Sequence, residues 1–86
     1  MKSYFTDLLP GNLRRLRQYH DYPQRYVAQY LGISQVAYSK MERGLTRLTE
    51  DRLTTLAALY NTGVDELLHL PADDLVRSVL ENRPPD

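Results

Sequence analysis

Eighty-six residues make one small domain, and the absence of cysteine excludes a disulfide framework, a thiol nucleophile and cysteine-based zinc ligation. Eleven basic and eleven acidic side chains cancel, so total charge by itself points to no nucleic-acid or membrane partner. No apolar run approaches the ~20 residues of a membrane span, and the opening MKSYFTDLLPG has no signal-peptide core; a soluble cytoplasmic protein is expected.

Residues 1–9 read as an N-terminal extension. A first helix is predicted from about Pro10 to His20, with proline suited to the first helical position and Asp21 able to take the left-handed conformation after it. A second helix covers roughly Pro23 to Leu31, with Val27, Ala28 and Leu31 on one face. Gly32 ends it, because glycine adopts the left-handed cap conformation without a Cβ penalty. Ser34 then caps a third helix, Gln35 to Arg43, whose Ala37, Tyr38 and Met41 point inward and which Gly44 closes. Thr49 caps a fourth helix that carries Glu50 and Asp51 in its first turn and turns Leu53, Leu56, Ala57 and Tyr60 to the core; Asn61 stops it. A fifth runs from about Val64 to Leu70 behind Gly63. Beyond Pro71, residues 72–83 carry Leu75, Val76, Val79 and Leu80 as a stripe on an otherwise polar helix, and Arg83-Pro84-Pro85-Asp86 should fray. No strand pattern, repeat or low-complexity tract is visible. The reading is all-α.

Residues 24–44 carry the functional argument. Helix, glycine turn and capped helix make a helix-turn-helix. The outward residues of its second helix, Gln35, Val36, Ser39 and Lys40, suit base edges: Gln and Lys can hydrogen-bond them, and Val can pack on a thymine methyl. Arg43 and Arg47 sit just beyond, where phosphates would run. The plainer alternative is a helical hairpin with a solvated polar face. Charge distribution favours DNA. Residues 12–47 hold Arg14, Arg15, Arg17, Arg25, Lys40, Arg43 and Arg47 against Asp21 and Glu42, a net +5. Residues 48–86 hold three arginines against eight acids, a net −5. Such a polarised chain would turn its basic half toward phosphates, although several of those acids also sit at helix starts, where the helix dipole favours them.

From Leu13 to Leu68 the chain resembles the Cro/phage-repressor (xenobiotic-response-element) type of helix-turn-helix domain. The matching residues are Leu13, Leu16 and Arg17; Gln24, Val27-Ala28 and Leu31-Gly32-Ile33-Ser34; Ser39-Lys40-Met41-Glu42-Arg43-Gly44; and Leu53, Leu56-Ala57 and Asp65-Glu66-Leu67-Leu68. The match needs no gap over 56 residues. It implies a five-helix, all-α DNA-binding domain over residues 10–70, with residues 71–86 as an additional C-terminal helix and tail. It also implies a structural ion pair between Arg17 and Glu42, locking the reading helix to the scaffold. Domains of this type usually bind DNA as two-fold dimers, which makes residues 72–83 a candidate dimer element; folding back over the domain is the alternative.

The expected phosphate contacts are Gln24 and Arg25 at the start of the second helix, Tyr38, Arg43 and Arg47. A simple capping contact is the alternative role for Gln24. Besides Asp21, often glycine in this family, and Gly63, often Ser or Thr, two positions depart from the family pattern. Pro23 replaces the usual Ser or Thr cap, and Tyr38 replaces an aliphatic core residue, so that its ring can be buried while its hydroxyl reaches a phosphate. Tyr26 and Tyr30 fall at i, i+4 on the outer face of the second helix, free to touch the DNA backbone, meet a protein, or stack on each other.

Nothing in the sequence suggests catalysis or a cofactor: His20 and His69 stand alone, no carboxylates cluster at metal-ligand spacing, and the four glycines are dispersed. The expected function is a homodimeric transcriptional regulator, with repression the expected mode, binding double-stranded DNA through its third helix. The competing expectation is a protein-interaction module, such as an antitoxin-like partner that also autoregulates its operon.

Overall fold

A computed structural model describes residues 2–82. In chain order it comprises β1 (Ser3–Tyr4), α1 (Leu9–Tyr19), α2 (Gln24–Leu31), α3 (Gln35–Glu42), β2 (Leu48–Thr49), α4 (Glu50–Leu59), α5 (Val64–His69) and α6 (Ala72–Glu81). Arg83, expected to end the last helix, and the tail expected to fray lie outside the described residues.

Four helices end by one device. After α1, α2, α3 and α4 comes a residue of positive φ, namely Asp21 (57°), Gly32 (71°), Gly44 (75°) and Asn61 (60°). The next residue's N–H then reaches back five positions: Tyr22 to Arg17, Ile33 to Ala28, Leu45 to Lys40 and Thr62 to Ala57, at 2.9–3.0 Å. This closure satisfies carbonyls that a helix end would otherwise leave open. Gly44 has a second constraint, since a Cβ there would meet the Pro10 ring at 3.3 Å.

The apolar faces meet in one core. Leu9, Leu13 and Leu16 of α1, Val27 and Ala28 of α2, Tyr38 and Met41 of α3, Leu53, Leu56 and Ala57 of α4 with Tyr60 just after it, and Leu67 and Leu68 of α5 are all buried. Polar ties fix α5 against α1. Asn12 donates to the carbonyls of Leu67 (2.9 Å) and Leu70 (2.8 Å), and the Thr6 hydroxyl donates to that of Leu68. The Glu66 carboxylate accepts from the Gly63 N–H (3.3 Å) and from the Ser78 hydroxyl (2.6 Å), joining the start of α5 to α6.

One feature differs from the sequence expectation, and a second concerns a point the sequence left open. The first is the strand pair: β1 runs antiparallel to β2, Ser3 opposite Thr49 and Tyr4 opposite Leu48. The extension is therefore built into the fold. A two-residue strand is too short for any alternation to show in a sequence. Arg47 reinforces the pair, its guanidinium donating to the Ser3 hydroxyl (3.0 Å) and carbonyl (3.1 Å). The second concerns α6, which lies back on α1 with Leu75 and Val79 buried; Val76 is half-buried and Leu80 exposed.

Candidate nucleic-acid interface

The turn between α2 and α3 is set by Gly32 and by Ser34, whose Oγ accepts from the Ala37 N–H at 3.0 Å and caps α3. Pro23, at the head of α2, supplies no such cap. With its inner face spent on the core, α3 presents Gln35, Val36 and Lys40 to solvent and keeps Ser39 half-buried. Val36, an apolar side chain, is 64% exposed. Gln35, Val36, Ser39 and Arg43 line one side of a cleft of about 260 Å³ that Gln24 closes from α2. Of the residues singled out in the sequence, these five come together. Lys40 is exposed but does not line the cleft, and neither does Arg25. Arg47, also exposed, holds β1.

Behind the cleft lies the ion pair. Arg17 Nε donates to Glu42 Oε2 at 2.6 Å and Nη2 to Oε1 at 3.1 Å, while Nη1 donates to the Tyr22 carbonyl at 2.9 Å. The fork joins α1 to the last turn of α3 with fixed geometry. Gln24 Nε2 also donates to Glu42 Oε1, at 3.2 Å, so its amide serves the pair from within the cleft wall. Burial would raise the Glu42 pKa, but hydrogen bonds from Arg17, Tyr38 and Gln24 outweigh it and hold the carboxyl below its usual range. The same bond to Glu42 pushes the Arg17 pKa up against its own burial.

Tyr38 is a correction. Its side chain is wholly buried and its hydroxyl lies 3.1 Å from that of Tyr60, so it is no phosphate contact. The inward position that usually takes an aliphatic side chain draws in the whole ring, and the hydroxyl finds a partner on the far wall of the core. Burial pushes both phenols well above their usual range, so both stay neutral. Replacing Tyr38 by phenylalanine strands the Tyr60 hydroxyl and should cost about 1–2 kcal/mol. Replacing both should cost less than the sum, measurable as a double-mutant cycle in urea unfolding. If the Tyr38 hydroxyl reached a phosphate instead, Tyr38→Phe would lower DNA affinity and leave stability unchanged.

The exposed tyrosines of α2 do not behave as a pair. Tyr26 packs its ring on Tyr22 at 4.7 Å, and Tyr22 in turn stacks on His20 at 5.4 Å. Tyr30, half exposed, lines a separate concavity with Thr49, Arg52 and Thr55. Arg14, to which the sequence assigns no role beyond its charge, lines a second concavity of about 230 Å³ with Arg17, Gln24, Ser39, Glu42 and Arg43. Its spacing of three from Arg17 places both on one face of α1 and could have marked it. Among the described residues, no three or more His, Cys, Asp or Glu side chains gather where a metal ion could sit, and no helix is long and apolar enough to cross a membrane.

A helix-turn-helix family model matches residues 13–67. The solution structure of the DNA-binding domain of the P22 c2 repressor (residues 1–76) is similar, with a TM-score of 0.65, 24% identity, and coverage of 78% of this chain and 84% of that one. The crystal structure of the P22 c2 repressor in complex with synthetic operator 9T is similar over 73% of this chain and 96% of that one, with a TM-score of 0.67 and 28% identity. The DNA-binding domain of BldD is covered completely by 80% of this chain, with a TM-score of 0.62 and 30% identity. No curated protein matches the chain significantly.

Proposed function

Because the chain belongs to the helix-turn-helix family of Cro/phage-repressor type, we propose that it is a sequence-specific regulator of transcription that binds duplex DNA. The observation that carries this reading is the cleft in which Gln24 of α2 faces Gln35, Val36 and Ser39 of α3, with Arg43 at its edge. It sets hydrogen-bonding and apolar groups beside unpaired positive charge, the combination that reads base edges between phosphates. The similar P22 c2 repressor has been seen in complex with a synthetic operator, which supports duplex DNA as the partner.

On this reading α3 enters the major groove by its N-terminal half. Gln35 pairs with an adenine edge, Val36 packs on a thymine methyl, and Ser39 and Lys40 reach the bases next along. Gln24, Arg25, Arg43 and Arg47 hold phosphates on either side, and the Arg17–Glu42 pair keeps α3 at a fixed angle to them. So few base contacts discriminate weakly, at about 1–3 kcal/mol each; two copies on half-sites about one helical turn apart supply the remainder. Occupancy by such a dimer represses by excluding other proteins from the site. The protein would work in the cytoplasm, on the nucleoid when bound. A second reading, a protein partner docking on α2, draws on the exposure of Tyr26 and Tyr30.

Selection of bound sequences from a random duplex pool tests DNA binding, half-site symmetry and spacing together. Affinity should fall steeply as salt rises, through counterion release; no binding even at low salt would refute the reading. In the selected half-site, changing one thymine to deoxyuridine should weaken binding several-fold by removing the methyl group, and Val36→Ala should abolish the difference between the two duplexes. If Val36→Ala still discriminates thymine from uracil, Val36 is not the reader.

A further inference from the structure

We infer that Arg14 and Arg43 form a two-armed seat for one backbone phosphate, with Arg14 a DNA-positioning residue; this rests on the DNA-binding reading above. The two arginines, from α1 and from the end of α3, are exposed and line a concavity of about 230 Å³ floored by the Arg17–Glu42 pair. The carboxylate lining it, Glu42, is already taken by Arg17 at 2.6 and 3.1 Å and by Gln24 at 3.2 Å. Arg14 has no ion-pair or hydrogen-bond partner among the described residues, and Arg43 spends one N–H on a long 3.4 Å bond to the Ser39 carbonyl. The seat therefore carries two positive charges with most of their planar donor groups unused, the geometry that grips phosphate oxygens.

The identity of the anion follows from position. The seat shares Gln24, Ser39 and Arg43 with the base-facing cleft. An anion held there stands one side-chain width from a base edge, which is where the sugar–phosphate strand bordering the groove runs. Neighbouring Arg15 gives the contrast. It turns away to Asp73 of α6, 3.4 Å off, on the other side of α1. Adjacent in sequence and equally charged, the two arginines should differ sharply in effect.

The test uses the full chain and its selected duplex, together with a series of duplexes in which single phosphates are replaced by neutral methylphosphonates. Arg14→Ala should weaken binding to the unmodified duplex about tenfold, the size of one charge-assisted contact, and lower the salt slope by about one per half-site. Arg15→Ala should bind like the wild type. One methylphosphonate position per half-site should weaken the wild type about tenfold and weaken the Arg14→Ala protein clearly less, the remainder being the Arg43 arm. Thermal melting should be the same for all three proteins, since both side chains are exposed. The seat is overturned if Arg14→Ala and Arg15→Ala bind alike, if Arg14→Ala is as sensitive as the wild type at every neutralised position, or if it loses affinity for an acidic polypeptide such as polyglutamate while keeping its DNA affinity. Failure of the wild type to bind any duplex would overturn both this seat and the DNA reading, whereas wild-type binding with no Arg14 effect removes the seat alone.

Discussion

Arg17→Met should lower folding stability by about 3–5 kcal/mol, the cost of leaving a buried charge without its partner. The Glu42 side chain is only 3% exposed, so water cannot replace the guanidinium. For a domain of this size, each kcal/mol moves the melting midpoint by roughly 4–8 °C, so the loss will be plain in any thermal scan. The pH dependence provides a sharper check because its sign reverses. In the wild type the Glu42 pKa is depressed in the folded state. Its stabilising contribution is therefore full above the unfolded carboxylate pKa of about 4.3 and fades as pH falls through the folded value. In Arg17→Met the buried carboxyl instead has a raised pKa, since desolvation is no longer opposed by an ion pair. The penalty is then full at neutral pH and is relieved as the acid takes up a proton. Between pH 7 and pH 5, urea unfolding should show Arg17→Met gaining stability relative to the wild type. Parallel curves would mean that the bonds from Gln24 and Tyr38 alone hold the carboxylate. Replacing both residues by apolar ones should recover most of the loss.

Leu75→Ala should be the second large effect, at about 2–5 kcal/mol, because it empties a fully buried position between α6 and α1. Its dependence on concentration distinguishes the two fates that the stripe on α6 allowed. With α6 folded back on its own chain, the unfolding midpoint of wild type and variant alike should not change with protein concentration. A helix exchanged between two copies would make the wild-type midpoint rise with concentration, and Leu75→Ala would remove that rise.

The parts of this molecule legible in its sequence are those governed by local rules. Asp21, Gly32, Gly44 and Asn61 punctuate the helices because the left-handed conformation restricts residue choice at a single position. Ser34 and Thr49 announce helix starts for an equally local reason: their hydroxyls bond the N–H three residues on. Periodicity then places Leu13, Leu16, Leu53 and Leu56 inward without knowledge of the partner helix. What stayed hidden depends on partners remote in the chain. Two strands of two residues have no pattern, and β1 needs β2, some 45 residues later, to exist at all. Tyr38 is amphipathic, and only the presence of Tyr60 across the core decides that its hydroxyl points inward. The apolar stripe of α6 declares that something will cover it without saying what.

The candidate interface divides along the same line. Gln35, Val36, Ser39 and Lys40 follow from the phase of one helix. Arg14 joins Arg43 only because α1 crosses α3, a tertiary arrangement that charge counting along the chain does not reveal. The place of Arg47 after α3 points to a phosphate, while its guanidinium also anchors Ser3; any phosphate it meets shares it with β1.

The ties that hold α5 to α1 have a consequence for how the chain is made. Asn12 and Thr6 bond carbonyls 55 to 62 residues downstream, and α6 packs on α1 as well. While synthesis proceeds, Leu9, Leu13 and Leu16 emerge first and have no complete surface to meet until α5 and α6 leave the ribosome. The packing of α1 is therefore completed by segments remote in the chain, which raises the contact order and should slow the last step of folding relative to the closure of α2 on α3.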